Sequence, residues 1–291
     1  MDRRAAAQQA KLVLYAFDMC EANWNQLTPP PDPRIAPDGW TLQAYISGAD
    51  VSRQSGLTST STVMGMGDVH CYGFVAQDAG GNFAVAIRGT KSLPEWIDDL
   101  DFLMVPHPVG GLVDRGFYNI YQSMQLHVLG GGPGWSPLAS GLAALVGASP
   151  VTVLGHSLGS AISTYLTLDL RRLGLNASAC LFASPKTGDS NFVNAFEQNV
   201  PNYDLFNYAH DMVPQLPPFD ILHCTRYRDL LQAKIFNDDF SMARICQDKA
   251  CFHHLVCYMA MLDYPTYVEV MANMPTDDDI ACAKCVLGKN P

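Results

Sequence analysis

The stretch Val151-Thr-Val-Leu-Gly155-His156-Ser157-Leu158-Gly159-Ser160 constrains this chain more than any other. A β-branched apolar run breaks into Gly-x-Ser-x-Gly and continues into a helical pattern from Ser160 to about Leu173. That order predicts a strand, a tight turn with room for backbone only at its two glycines, and a helix. A serine on such a turn is pushed clear of the sheet. The amides that follow it stand at a helix N-terminus, where the dipole favours negative charge. Glycine and serine are common, so the bare pattern arises by chance; the strand before it and the helix after it give this copy its weight.

A serine hydroxyl is a poor nucleophile until a base takes its proton, and the base needs a third group to fix its tautomer. On a strand-turn-helix serine the acid and then the histidine follow downstream. Asp211, in Phe206-Asn-Tyr-Ala-His-Asp-Met-Val-Pro214, lies just past a predicted strand and before a stiff turn, whereas Asp189, Asp204 and Asp220 lack that setting. For the base, His253 and His254 open a predicted helix on a late loop; His210 adjoins the acid, and His223 lies in a predicted strand. An oxyanion needs donors aimed at it. The backbone N–H of Leu158 is one, and the strand end Ala86-Ile-Arg-Gly-Thr90 offers a second through the amide and hydroxyl of Thr90. Beyond it, Leu93, Trp96, Ile97 and Leu100 recur at i, i+3, i+4 and i+7. That spacing makes one apolar helix face, either core packing or a lid that turns outward on lipid.

The rest of the chain predicts an α/β fold. Helices are expected over 3–24, 114–129, 138–146, 191–198 and 252–262, and strands over 41–46, 72–76, 83–88, 178–183, 205–209 and 221–227. Strands alternating with helices imply a mostly parallel central sheet flanked by crossover helices. No long polar linker divides residues 1–291, which read as a single domain with a cysteine-rich segment at 246–285. The net charge of −10 and the lack of a basic run argue against nucleic acid as a partner. No apolar run is long enough for an integral membrane segment, and the N-terminus lacks a signal-peptide pattern, so a soluble protein is expected, secreted or cytoplasmic. Among nine cysteines, Cys20, Cys71, Cys180 and Cys224 read as buried thiols. Cys246, Cys251, Cys257, Cys282 and Cys285 can stay reduced, form disulfides or bind zinc, although only Cys282 and Cys285 have the tight spacing of a zinc site.

From about Tyr72 to Leu262 the chain resembles the class 3 lipase family, a variant of the α/β-hydrolase fold. The resemblance rests on ordered motifs: Ile87-Arg-Gly-Thr90 with Ser92, Leu93 and Trp96; Gly116-Phe117; Gly155-His-Ser-Leu-Gly159; Phe182-Ala-Ser-Pro185 with Gly188-Asp189; and Asp211-Met-Val-Pro214. It implies Ser157 as nucleophile, Asp211 as orienting acid, Thr90 and Leu158 as oxyanion-hole residues, and a short helical lid over Leu93–Leu100. The family's late histidine stands in His-x-Leu/Met-x-x-Tyr, which His253-His-Leu-Val-Cys-Tyr258 fits with His253 as base; members with histidine directly before the leucine favour His254. Where many members carry histidine before Gly-Phe, this chain has Asp114. The implied function is hydrolysis of carboxylic esters, foremost acylglycerols at a lipid–water interface, without metal or organic cofactor. Phospholipase A1, feruloyl or short-chain esterase activity on the same site, or a non-catalytic lipid- or protein-binding role, are the alternatives.

Overall fold

The computed structural model describes residues 1–49, 68–90, 103–132, 134–217 and 227–290. The predicted lid residues Leu93, Trp96, Ile97 and Leu100 lie outside this set, as do Asp220, His223 and Cys224. Within it, β1 (Trp40–Ala49), β2 (Val69–Asp78) and β3 (Phe83–Ile87) run antiparallel to one another; β3 then pairs in parallel with β8 (Val151–His156). The parallel run continues through β9 (Ala177–Phe182), β11 (Tyr203–Tyr208) and β13 (Ala233–Phe236). On the far side of β1 come β6 (Gln125–Val128) and β7 (Ser136–Pro137), both antiparallel. The sheet is therefore mixed. Its parallel half carries the elbow, and its C-terminal strand ends all open on one side. A second sheet is formed by β4 (Met104–Pro106), β5 (Leu112–Asp114), β10 (Gly188–Asp189) and β12 (Tyr227–Arg228).

Alternation along the strands sorts the core into two faces, as the pleat requires. Phe74, Ala84, Ala86, Leu154 and Phe182 face one layer, with α1 (Arg3–Ala22) and, later in the chain, α6 (Leu255–Leu262) and α7 (Tyr264–Ala272). Val75, Val85, Ile87, Val153 and Leu181 face the other, with α2 (Arg115–Ser123), α3 (Leu138–Val146), α4 (Leu158–Arg172) and α5 (Ser190–Asn199). Burying each of the Phe, Leu, Ile and Val side chains among these contributes about 1.5–3 kcal/mol.

Three expectations are corrected. The helix expected over 114–129 ends at Ser123: Met124 is extended, and residues 125–128 become an edge strand on β1, with Leu126 opposite Ile46. Pairing with the sheet overrides local helix preference there. The helix expected from Phe252 begins at Leu255, so the two histidines precede its first turn. Cys20 and Cys71 are not separate thiols: they form a disulfide across 51 residues of sequence, because the last turn of α1 lies over β2. A second disulfide joins Cys251 to Cys285, so Cys285 pairs with a distant cysteine and not with its near neighbour Cys282. Among the described residues no group of three or more histidines, cysteines or carboxylates is arranged to hold a metal ion.

The first and last helical elements meet at one buried guanidinium. Arg34 bonds Asp18 on α1, Asp32 in its own loop (2.7 Å), and Asp279 (2.9 Å) in α8 (Asp277–Ala283). Three carboxylates on one cation leave an excess of negative charge in an apolar setting. Burial first, then Asp279, push the Asp18 carboxyl up from 3.8 to about 7. A carboxyl raised on folding stabilises the native state fully below its unfolded value, and that stability is lost as pH rises through the folded value. Asp18→Asn is therefore expected to flatten the fall in unfolding free energy between about pH 4 and 8, as read by urea titrations across that range. At the elbow, a Cβ on Gly159 would lie 2.4 Å from the Ile87 carbonyl oxygen. Gly159→Ala is expected to lower stability by about 1–3 kcal/mol, measured by chemical denaturation.

Candidate active site

Ser157 caps α4 with φ 58° and ψ −127°, a conformation that costs a non-glycine residue about 1–3 kcal/mol. The surroundings hold it there. Its N–H donates to the Phe182 carbonyl (3.0 Å), and its own carbonyl accepts from the N–H groups of Ser160 (2.9 Å) and Ala161 (3.3 Å). The Ser160 hydroxyl lies 2.7 Å from the Gly155 carbonyl oxygen and 2.8 Å from that of Phe182, tying the turn to β9. Neither glycine of the motif can carry a side chain, since a Cβ on Gly155 would fall 2.3 Å from the Gly159 carbonyl oxygen.

Asp211 follows β11 by three residues and is buried. Its Oδ1 accepts from the N–H of Val213 (2.9 Å), as the predicted stiff turn requires. Its Oδ2 accepts two bonds, from His253 Nδ1 (2.8 Å) and from the Tyr258 hydroxyl (2.8 Å). The Tyr258 oxygen in turn accepts from the N–H of Tyr208 at the end of β11 (2.9 Å). Burial first, and then the Asp211 charge, push the Tyr258 phenol well above its ordinary value, so it remains a donor. With His253 Nδ1 committed to Asp211, the lone pair is left on Nε2. His253 Nε2 and Ser157 Oγ are both buried, and among the described residues neither has a hydrogen-bond partner.

Of the two late histidines, the structure brings His253 to Asp211; His254 is the N-cap of α6. The residue before the serine helps to place the base: His156 Nε2–H donates to the His253 carbonyl (2.7 Å), and the two rings lie 4.7 Å apart. Burial, then His253, lower the basicity of His156 well below the usual imidazole range, so it adds no charge beside its neighbour. The rival groups are engaged elsewhere. Asp189 caps α5 through the N–H of Phe192 (2.9 Å), Asp204 pairs with Lys234 and the N-terminal amine, and His210 sits 3.6 Å from Asp238.

The strand end beneath the serine is rigid. Arg88 donates to the carbonyls of Cys71 (2.9 Å) and Gly89 (2.9 Å), pairs with Glu21 on α1 (3.0 Å), and stacks on Trp24 and Tyr72. Gly89 presses on the elbow, because a Cβ there would meet Ser157 Cβ at 3.3 Å. Thr90, half-buried, follows at once. Leu158 supplies an amide from the first turn of α4, where backbone donors have no intrahelical acceptor. Asp114 caps α2 through the N–H of Phe117 (2.9 Å) and accepts from the Tyr227 hydroxyl (2.9 Å). The roles of Tyr258, His156 and Arg88 were not read from the sequence. Tyr258 stood in the pattern used to choose the histidine; His156 and Arg88 stand inside the motifs Gly155-His-Ser-Leu-Gly159 and Ile87-Arg-Gly-Thr90, but their partners are far along the chain.

Residues 84–221 match the family described as Lipase (class 3). Phospholipase A1-II 3 of Oryza sativa subsp. indica is 31% identical over 195 residues, covering 52% of this chain and 44% of that protein. A lipase of Rhizomucor miehei is 27% identical over 208 residues, covering 66% of this chain and 53% of that protein. The chain spans about half the length of the curated relatives it matches. The crystal structure of a lipase from Rhizopus microsporus var. chinensis aligns with TM-score 0.51 and 21% identity, covering 74% of this chain and 69% of that one. That likeness is one of fold, the α/β-hydrolase type.

Tyr258→Phe removes one donor from Asp211 and leaves the buried N–H of Tyr208 without its acceptor. A loss of about 1–3 kcal/mol in stability is expected, measured by guanidinium titration against the parent chain.

Proposed function

We propose that this chain, whose residues 84–221 match the class 3 lipase family, is a serine-dependent carboxylic ester hydrolase acting on acyl lipids. The observation that carries this reading is the pairing of Asp211 with His253 at 2.8 Å while His253 Nε2 and Ser157 Oγ stay buried and unpartnered among the described residues. In the proposed reaction Ser157 Oγ attacks the ester carbonyl as its proton passes to His253 Nε2. Asp211, buried and fixed by Tyr258 and Val213, stabilises the resulting imidazolium. The carbonyl oxygen, now negative, takes hydrogen bonds from the Leu158 amide and from Thr90. The alcohol leaves with the proton from His253, and the acyl group stays on Ser157. Water then attacks the acyl-enzyme with His253 again as base, which frees the acid and restores the serine. No step calls for a metal or cofactor.

The apolar stripe of Leu93, Trp96, Ile97 and Leu100 suits a lid that opens at a lipid–water interface. All of this is assigned to one α/β-hydrolase-type domain over residues 1–291, with the cysteine-rich segment 246–285 as part of it. Acylglycerols are the foremost substrates. Phospholipids are the second reading, favoured by a 31% identical relative that bears the name phospholipase A1. Among the described residues no helix is long and apolar enough to cross a membrane. The two disulfides support folding in an oxidising compartment.

Ser157→Ala is expected to abolish turnover of p-nitrophenyl esters and labelling by a fluorophosphonate probe while leaving the circular dichroism unchanged. Retained turnover removes Ser157 from the reaction. Run on the parent chain, emulsified triacylglycerol, diacylglycerol and phosphatidylcholine separate the two substrate readings by which acyl chain is released fastest.

A further inference from the structure

We infer that the Cys251–Cys285 disulfide is a positioning device for His253, a statement that rests on the reading of His253 as the base. The disulfide stands two residues before the imidazole and reaches the residue that precedes the last described strand. His253 sits at a junction. After it, α6 is buried along its whole length and rigidly packed. Before it, residues 246–253 form an irregular turn closed by short-range bonds: the N–H of Phe252 to the Asp248 carbonyl (3.2 Å), and the N–H of His253 to that of Ala250 (3.1 Å).

A turn of that kind, held by its own bonds alone, is free to tilt as a body and to swing the ring with it. Several connections fasten it to the rest of the molecule on the His253 side. Asp211 holds the ring, His156 holds the His253 carbonyl, Phe252 packs against Tyr208 (5.6 Å) and His210 (5.5 Å), and Cys251 is covalently joined to Cys285. Of these cross-contacts only the last is covalent.

Its far end is itself well anchored. Cys285 leads directly into β15 (Val286–Lys289), which pairs antiparallel with β14 (Ala243–Ile245), and its carbonyl accepts from the N–H of Cys246 (2.8 Å). The helix before it, α8, is pinned by Asp279 to Arg34. The base is thus braced from outside the sheet by the last 15 residues described, 276–290, a segment that touches neither the serine nor the acid in any described bond. A misplacement of the base by about 1 Å is enough to cost on the order of a hundredfold in rate.

The test replaces both cysteines, Cys251→Ser with Cys285→Ser, so that neither half of the pair is left as a thiol to cross-link with the free Cys246, Cys257 or Cys282. Ester hydrolysis is measured well below the melting temperature, beside the imidazole NMR signals of His253. The expected result is a fall in kcat of about ten- to a hundredfold with KM within about twofold. The downfield Nδ1 proton shared with Asp211 should broaden or vanish while near-ultraviolet circular dichroism stays native. If the serine pair does not fold, Cys251→Ala with Cys285→Val, which fills the sulfur volume with apolar carbon, takes its place. A variant that melts earlier but keeps both kcat and the Nδ1 proton overturns the inference, because a purely structural brace predicts that pattern. A parent chain that neither hydrolyses esters nor reacts with fluorophosphonate overturns the hydrolase reading instead, and the Nδ1 proton still decides the role of the disulfide.

Discussion

The backbone contact between residue 159 and the end of β3 sets the geometry from which the rest of the site follows. Without a side chain at Gly159, α4 starts flush against the carbonyls of Ile87 and Arg88. That closeness does two things. It forces Ser157 into the left-handed region, where its side chain clears the sheet, and it brings the Gly89–Thr90 strand end up beside it. Nucleophile and proposed oxyanion donors are thus set by one steric fit between two adjacent parallel strands. A main-chain strain of about 1–3 kcal/mol is offset by the hydrogen bonds of Ser157 and Ser160 to β8 and β9.

The acid and base are held by a different principle, saturation of buried polar groups. Both oxygens of Asp211 are occupied, by Val213 on one side and by His253 and Tyr258 on the other. The Tyr258 hydroxyl also caps a free N–H at the end of β11, so strand, acid and base share one short chain of bonds. Two positions stay open in this otherwise satisfied cluster, His253 Nε2 and Ser157 Oγ. Buried polar atoms are rarely left unmatched, and the two left so in this cluster belong to the groups that exchange a proton in the proposed reaction.

Much of this was legible in the sequence because it is encoded locally. The elbow glycines, the stiff turn after Asp211 and the apolar alternation of the central strands each follow from a few adjacent residues. What was not legible depends on partners far along the chain. Cys20 and Cys71 each sit in an apolar setting that suits a lone thiol, and only the path of α1 over β2 makes them a pair. Residues 125–128 have helix-compatible side chains and become a strand because β1 has an open edge. Spacing alone gave no contact that separates His253 from His254; one is aimed at Asp211 by a turn that ends on a disulfide, the other caps the next helix.

The ion cluster around Arg34 has a consequence for how the chain is made. Asp18 and Arg34 leave the ribosome close together, but Asp279 lies 245 residues beyond Arg34. At about 5–20 residues per second that interval is on the order of 10–50 s. Throughout it α1 can dock on the sheet while Arg34 lacks one of its three carboxylate partners. α1 therefore has to wait for α8 before this seam is sealed, and the nascent chain carries an open flank until then.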